Sequence, residues 1–240
     1  FNVTSLDGRY TTPEIKNTGE SSLKAELFID YTDGTTDHIV TDANWQTNSS
    51  PTTGSNWWGG EDYDARKVVS HIDDADIDLS NWTKAVEMTP TSTVLGTKAA
   101  VGTLKARMYE PLRVVEEWKA TKVTALANGD YLVDFGRNFA GTYSFTLSGE
   151  NGQNIHLREA EKLSSDGTAY QDYYYSRNSV TYDSYTFAGT NSGETWGPQF
   201  MYHGFRYLQI SGLKSAPSAM AFTAKRIRSN IGETGHFVFS

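Results

Sequence analysis

Tyr131-Leu132-Val133-Asp134-Phe135-Gly136-Arg137-Asn138-Phe139-Ala140-Gly141-Thr142-Tyr143-Ser144-Phe145-Thr146-Leu147, followed after a turn by Ile155-His156-Leu157-Arg158-Glu159-Ala160-Glu161, is the stretch whose reading decides the fold. Tyr131 and Val133 share one face of a first segment, with Leu132 and Asp134 on the other. In a second segment Tyr143, Phe145 and Leu147 alternate with Thr142, Ser144 and Thr146. In a third, Ile155, Leu157 and Glu159 alternate with His156, Arg158 and Ala160. Strict alternation of this kind marks a strand with one buried and one wet face. Asn128-Gly129 and Asn151-Gly152 stand at the joints, and Asn-Gly supplies the positive φ angles of tight hairpin turns. The stretch predicts three antiparallel strands, the first ending in the run Asp134 to Gly141.

Working outward, Phe1 to Ser22 is polar and reads as loop with one short strand. Leu23, Ala25, Leu27, Ile29 and Tyr31 alternate with Lys24, Glu26 and Asp30, and Asp33-Gly34 turns the chain toward His38-Ile39-Val40, a hairpin pattern. Thr89 to Thr103 is rich in Thr, Ser, Ala and Gly and has Lys98 as its one charged residue. Strands resume at Leu112 to Trp118. Val180 and Tyr182 share one parity while Tyr185 and Phe187 share the other, a slip that a bulge near Asp183-Ser184 would produce. No stretch keeps helical spacing over three turns. Many short strands between turn signals predict an all-β chain. It divides into two antiparallel β-sandwich domains, jelly-roll-like: residues 1–88, then a linker at 89–103, then residues 104–228.

The bulk numbers agree. Hydrophobic residues make up 38% and aromatics 13% of the 240 residues, and aromatics favour both strands and sugar-binding surfaces. There is no cysteine, which excludes disulfides and thiolate metal sites. A net charge of −8 argues against nucleic acid, whose binding rests on Lys and Arg neutralising phosphates. No apolar run approaches the roughly 20 residues of a membrane span. No signal peptide and no initiator Met stand at Phe1, so the chain reads as a processed product or a portion of a longer one; cellular location stays open.

Asp74, Asp76 and Asp78 alternate as calcium ligands would. An EF-hand needs Gly at the sixth position and Glu at the twelfth, where this chain has Leu79 and Ala85, so a solvated acidic loop is the better reading. Glu159 and Glu161 would lie roughly 7 Å apart on one face of a strand, a spacing that inverting glycosidases use. Two acids on one strand do not easily flank a sugar from opposite sides, and a solvated or interfacial pair is favoured. Trp57-Trp58 followed by Glu61, Asp62 and Asp64 is the patch best suited to carbohydrate, with aromatic faces for sugar C–H groups and carboxylates for hydroxyls or a calcium ion. The competing reading makes one Trp core and Asp64-Ala65-Arg66 a structural salt bridge. In Tyr202-His203-Gly204-Phe205-Arg206-Tyr207, Phe205 and Tyr207 are expected in the core and Gly204 and Arg206 outside. No nucleophile, phosphate loop or His-x-x-x-His metal spacing occurs, so no catalytic residue, resident metal or cofactor is expected.

An ordered series of motifs then carries a resemblance. Gly60-Glu61-Asp62-Tyr63-Asp64-Ala65-Arg66, Pro111 to Glu117, Asp134 to Gly141, Arg158-Glu159-Ala160-Glu161 with Asp166-Gly167, Tyr202 to Tyr207, and Thr234-Gly235-His236-Phe237 resemble, in the same order, the non-catalytic β-sandwich domains of bacterial α-L-rhamnosidases of glycoside hydrolase family 78. Arg137 stands where that family usually has Gln, Thr142 where it usually has Trp, and Glu159 where it usually has His. The resemblance implies that the sandwiches precede an (α/α)₆ barrel that cleaves terminal L-rhamnose with inversion, residues 229–240 being the lead-in to it. Partners would be that catalytic domain and a rhamnose-containing glycan, with Tyr202, His203 and Arg206 at the rim of the interdomain face. The first unit resembles only the second half of a module that in some members binds rhamnose through calcium. Weak binding at Trp57, Trp58, Glu61, Asp62 and Asp64 is therefore expected, with calcium absent or loosely held. The alternative is a freestanding carbohydrate-binding or adhesion module with no enzyme attached.

Overall fold

The computed structural model describes residues 23–56, 59–87, 103–171, 181–232 and 234–238, together with the backbone of 93–94 and 97–98. In chain order the strands are β1 (Glu26–Asp30), β2 (Thr36–Val40), β3 (Gln46–Thr47), β4 (Thr52–Asn56), β5 (Gly60–Asp64), β6 (Thr83–Lys84), β7 (Thr93–Val94) and β8 (Thr97–Lys98). They continue with β9 (Leu112–Lys119), β10 (Lys122–Ala125), β11 (Tyr131–Leu147), β12 (Asn154–Ala160), β13 (Lys162–Leu163), β14 (Ala169–Tyr170), β15 (Asp183–Thr186), β16 (Glu194–Trp196), β17 (His203–Ser211) and β18 (Phe222–Ser229). Helix among the described residues is limited to two single 3₁₀ turns, Ala65–Lys67 and Ala219–Ala221. The protein is all-β, as the alternation predicts.

Two of the three strands read from the central stretch are one. β11 runs unbroken through the Asp134–Gly141 motif. Its first half pairs with β10 and β17, and its second half with β18 and, at the end, β16. Asp134 lies opposite Tyr207 and Phe139 opposite Phe205, so residues 135–138 of β11 face the single residue Arg206 of β17. That is a bulge several times the usual one-residue insertion, and bulges bend and twist a strand. Gly136 supplies the turn with φ +85°, and its N–H donates to Asp134 Oδ1 at 2.7 Å. The bend lets one strand serve both halves of the sandwich.

The large sheet follows the path β4-β5-β15-β12-β17-β11-β18-β9. Both halves of β11 feed one core: Val133, Phe135, Phe139, Tyr143 and Phe145 pack with Ile155, Leu157, Tyr185, Phe187, Trp196, Phe205, Leu208, Ile210 and Phe222. Each fully buried aromatic or aliphatic side chain contributes about 1.5–3 kcal/mol through removal from water.

The turns behave as Asn-Gly chemistry requires, though only one closes a hairpin. Gly129 takes φ +90° between the paired β10 and β11. Gly152 takes φ +80°, yet β12 pairs with β15 and β17 and not with β11; its turn carries the chain across the sandwich. The first hairpin, β1–β2, forms at Asp33-Gly34 as expected, with Phe28 opposite His38.

One further expectation is changed, the bulge in β15, and strand pairing also links the two expected units. Strands β4 and β5, read as part of the 1–88 unit, are hydrogen-bonded into the same sheet as the 104–228 unit, β5 lying parallel to β15 with Tyr63 opposite Tyr185. Within 89–103, β7 and β8 pair as a minimal hairpin, and most of that segment lies outside the described residues. The bulge expected at Asp183-Ser184 is absent: β15 pairs with β12 in unbroken register from Leu157–Asp183 to Asn154–Thr186. The parity slip has another cause. Thr181, Asp183, Tyr185 and Phe187 are the inward series, and Tyr182 faces out, stacked on His156 at 4.4 Å between ring centroids.

Candidate functional site

The stretch expected to bind carbohydrate uses all three of its acids within the fold. Trp57 and Trp58 lie outside the described residues. Glu61, on β5, is fully buried; its Oε2 accepts from the backbone N–H groups of Gln199 (3.0 Å) and Phe200 (2.9 Å), clamping that loop. Burial pushes its carboxyl above the usual range, against the pull of those two donors. Asp62 Oδ1 accepts from Ser184 Oγ at 2.6 Å. Asp64 caps the 3₁₀ turn through the Arg66 N–H and is gripped by the Arg66 guanidinium at 2.8 Å on each oxygen, which holds its carboxyl below the ordinary range. The salt-bridge reading of Asp64-Ala65-Arg66 is the geometry found.

Glu159 and Glu161 do not form the pair their spacing suggested. β12 ends at Ala160, and the chain turns there. Glu159 is 1% exposed, whereas Glu161 is exposed and accepts from Asn138 Nδ2 at 2.8 Å. A scissile bond has no place between a core carboxylate and a surface one.

What the fold gathers instead is a polar cluster inside the hydrophobic core. Adjacent strands β15, β12 and β17 contribute Asp183, Glu159 and His203, whose ligating atoms all lie within 4.8 Å of one another. Asp183 is fully buried; its Oδ1 accepts from the Glu61 N–H and its Oδ2 from the Tyr143 hydroxyl, both at 2.8 Å. Both Glu159 oxygens and His203 Nε2 lack a non-acidic hydrogen-bond donor, the Asp183 carboxyl lying within hydrogen-bond reach of Glu159, and His203 Nε2 stands 3.9 Å from Glu159 Oε1. Burial drives the Glu159 carboxyl well above its ordinary range, and the Asp183 charge adds to the effect. Burial also lowers His203, with Asp183 opposing. Tyr143 is raised first by burial and then by the Asp183 charge. Among the described residues, no Lys or Arg forms an ion pair with Glu61, Glu159 or Asp183.

The Asp183 part of this cluster was missed in the sequence because an Asp at core parity looks like a slip between apolar pairs. The signal was present: placing Asp183 in phase with Tyr185 and Phe187 removes the need for a bulge. His203 was read as rim, and it is turned inward beside Phe205. Phe205 is core as expected, but Tyr207 is only half-buried, because the register slip opposite Asp134–Phe139 hands the next inward position to Leu208. Arg206 does face out; its guanidinium binds both oxygens of Asp134. Asp74, Asp76 and Asp78 stay exposed, and among the described residues only the Glu159 cluster brings three metal-ligand side chains together.

On the surface, Leu112, Val114, Ile227, Phe200, Met201 and Tyr202 line an open cleft of about 320 Å³. Leu112 and Phe200 are 55% and 43% exposed. A second groove shares Ile227 and holds Arg137, Arg226 and Arg228 around Glu116.

A bent strand shared by two halves of one core, with its gathered acids sealed inside, defines an antiparallel β-sandwich protein. Residues 3–116 match the α-L-rhamnosidase N-terminal domain, and residues 124–228 match the bacterial α-L-rhamnosidase concanavalin-like domain. The chain thus matches, in series, two domains of the non-catalytic N-terminal region of α-L-rhamnosidases. An α-L-rhamnosidase of Streptomyces avermitilis is 31% identical over 217 residues, covering 90% of this chain and 20% of that protein. The crystal structure of the S. avermitilis α-L-rhamnosidase complexed with L-rhamnose superposes with a TM-score of 0.74 at 30% identity, over 86% of this chain and 19% of that one. The α-L-rhamnosidase from Dictyoglumus thermophilum gives 0.72 at 30% identity, over 85% and 22%. The chain thus spans about a fifth of the length of the relatives it matches. The two matched segments meet between residues 116 and 124, near the β9–β10 junction.

Proposed function

We propose that this chain is the accessory β-sandwich region of an α-L-rhamnosidase-like glycoside hydrolase, supporting a catalytic domain carried by the same polypeptide. The observation that carries this is the pair of domain matches in series within a fifth of the relatives' length. It favours attachment to an enzyme over a freestanding adhesion module. The exposed apolar cleft at Leu112, Val114, Phe200 and Tyr202 is the face offered to the catalytic domain, since interdomain contacts bury roughly 600–1,500 Å². On this reading Tyr202, which lines the cleft, contributes to the rim, while His203 is turned inward and Arg206 is engaged by Asp134.

On this reading the chain by itself does not hydrolyse rhamnosides, because its candidate acids are separated, one in the core and one on the surface. Carbohydrate binding at Trp57, Trp58, Glu61, Asp62 and Asp64 is weak, in the millimolar range (roughly 4 kcal/mol), with calcium absent or loosely held. Glu61 and Asp64 already spend their oxygens within the fold, and a calcium cage needs about six to eight. The purified chain is to be assayed with a chromogenic rhamnoside and titrated calorimetrically with L-rhamnose, with and without calcium. No turnover and millimolar or weaker binding are expected. Turnover abolished by Glu159→Gln or Glu161→Gln would make the chain an enzyme, and micromolar calcium-dependent binding would make it a complete sugar-binding module.

A further inference from the structure

Glu159 poses a problem that the rhamnosidase framework does not solve. A buried carboxylate is expected to be paired or hydrogen-bonded, yet at 1% exposure the side chain within hydrogen-bond reach of Glu159 is another acid, Asp183, and among the described residues no side-chain N–H or O–H of a non-acidic group donates to either oxygen. Asp183 lies against it, and Glu61 adds a third buried carboxylate, whose backbone N–H is on Asp183. Among the described residues the one basic group within reach, His203, turns its unpartnered Nε2 toward Glu159. Three donors from three adjacent strands therefore converge with no counter-ion among them.

We propose that Glu159, Asp183 and His203 form a binding site for a divalent transition cation, Zn²⁺ or Mn²⁺, that neutralises the buried carboxylates and fastens β12, β15 and β17 together. The donor set selects the class. One imidazole with two carboxylates suits Zn²⁺ or Mn²⁺, whereas Ca²⁺ requires an all-oxygen shell of about six to eight ligands. Bonds of about 2.0–2.2 Å in a tetrahedral arrangement set ligand atoms roughly 3.4 Å apart. The 3.9 Å between His203 Nε2 and Glu159 Oε1 is close to that, and the widest separation of up to 4.8 Å closes with side-chain movements of about 1 Å. Asp183 is already oriented by Tyr143 and by the Glu61 N–H, one bond to each oxygen, and each oxygen retains a lone pair. The ion would be structural. It would also reach β5, because the Glu61 backbone holds Asp183 in place.

The test uses the whole chain. It is unfolded, stripped with EDTA, and refolded with ZnCl₂, MnCl₂, CaCl₂ or EDTA, and unbound metal is then removed. Retention of about one equivalent of Zn²⁺ or Mn²⁺, and a Tm roughly 5–10 °C above the EDTA-refolded sample at saturating metal, are expected, with no rise from Ca²⁺. Co²⁺ in the site is expected to give visible d–d absorption that disappears in His203→Gln. Glu159→Gln, which keeps the side-chain shape, should abolish retention and the Tm rise. If either variant fails to fold, metal content, the Tm difference and the Co²⁺ spectrum of the unaltered chain decide the matter. No retained metal and an unchanged Tm would overturn the site, and would mean that a proton held on Glu159 neutralises the cluster. Equal retention by Glu159→Gln, or an equal rise with Ca²⁺, would overturn the assignment of ligands or of metal class.

Discussion

At the scale of single residues, Asp134 shows how the central motif is held. Arg206 donates to both of its oxygens, at 2.8 and 2.9 Å, and the Gly136 N–H adds a third bond. The guanidinium beside it holds its carboxyl below the usual range. Because the folded-state pKa is depressed, the stabilisation is complete above the unfolded value, near 3.9. It is lost as pH falls through the folded one. Arg206→Met is expected to cost about 1–2 kcal/mol at pH 7, discounted for the partial exposure of the pair. It should also flatten the loss of stability below about pH 4. Urea titrations of the two proteins between pH 7 and pH 3 measure both effects; parallel pH profiles would show that Asp134 titrates independently of Arg206. Arg137, in the same motif, lies with its guanidinium carbon 4.0 Å from the Trp118 ring centroid and pairs with Glu116. The indole N–H of Trp118 donates to the Phe135 carbonyl at 2.8 Å. The exposed middle of the bulge is thus tied back to β9 on both sides.

At the scale of elements, β11 depends on glycine where it passes from β17 to β18. Gly141 pairs with His203 on one side and Arg226 on the other, and a Cβ there would meet the Lys225 carbonyl oxygen at 2.0 Å. That atom is backbone and cannot swing away. Gly141→Ala is expected to destabilise the fold by about 2–4 kcal/mol, with amide exchange rising in β18 and the second half of β11 before it rises in β12. Exchange rising equally in all strands would mean that the crossing is not a local hinge of stability. The turns show how far this scale was readable. Asn-Gly correctly marked positive φ at Gly129 and Gly152, but the turn residues alone could not tell which strand would pair next. β12 chose β15 and β17 because Ile155, Leu157 and Glu159 had to face the same core as Tyr143 and Phe145.

At the scale of the whole molecule, the bent sheet leaves the apolar cleft of Leu112, Val114, Phe200 and Tyr202 open. Its lining comes from β9, β18 and the loop that Glu61 clamps, so residues from both matched domains help to shape or position one surface. In a longer polypeptide that carries the catalytic domain, Phe200→Asp is expected to lower Tm by several degrees, at about 2–4 °C per kcal/mol lost. The same change in this chain alone should move Tm by less than a degree or two, because an exposed side chain costs about 0.5 kcal/mol or less. Equal effects in both contexts would remove the cleft from the interdomain contact.

Alternation alone determined that this chain is all-β, that Tyr143, Phe145, Leu147, Ile155 and Leu157 share inward faces, and that Glu159 shares a face with Ile155 and Leu157. These follow from a period of two in side-chain direction, which is local and survives in a one-dimensional string. Strand partners are set by closing a core between segments far apart in sequence. Only the tertiary structure could therefore decide that residues 131–147 are one bent strand, that β5 joins β15 across more than a hundred residues, and that Asp183 belongs inside. The same reason explains the site. Glu61, Asp64 and Glu159 were visible as acids, but whether a carboxylate meets water, an Arg or another buried acid depends on neighbours that only the folded chain supplies.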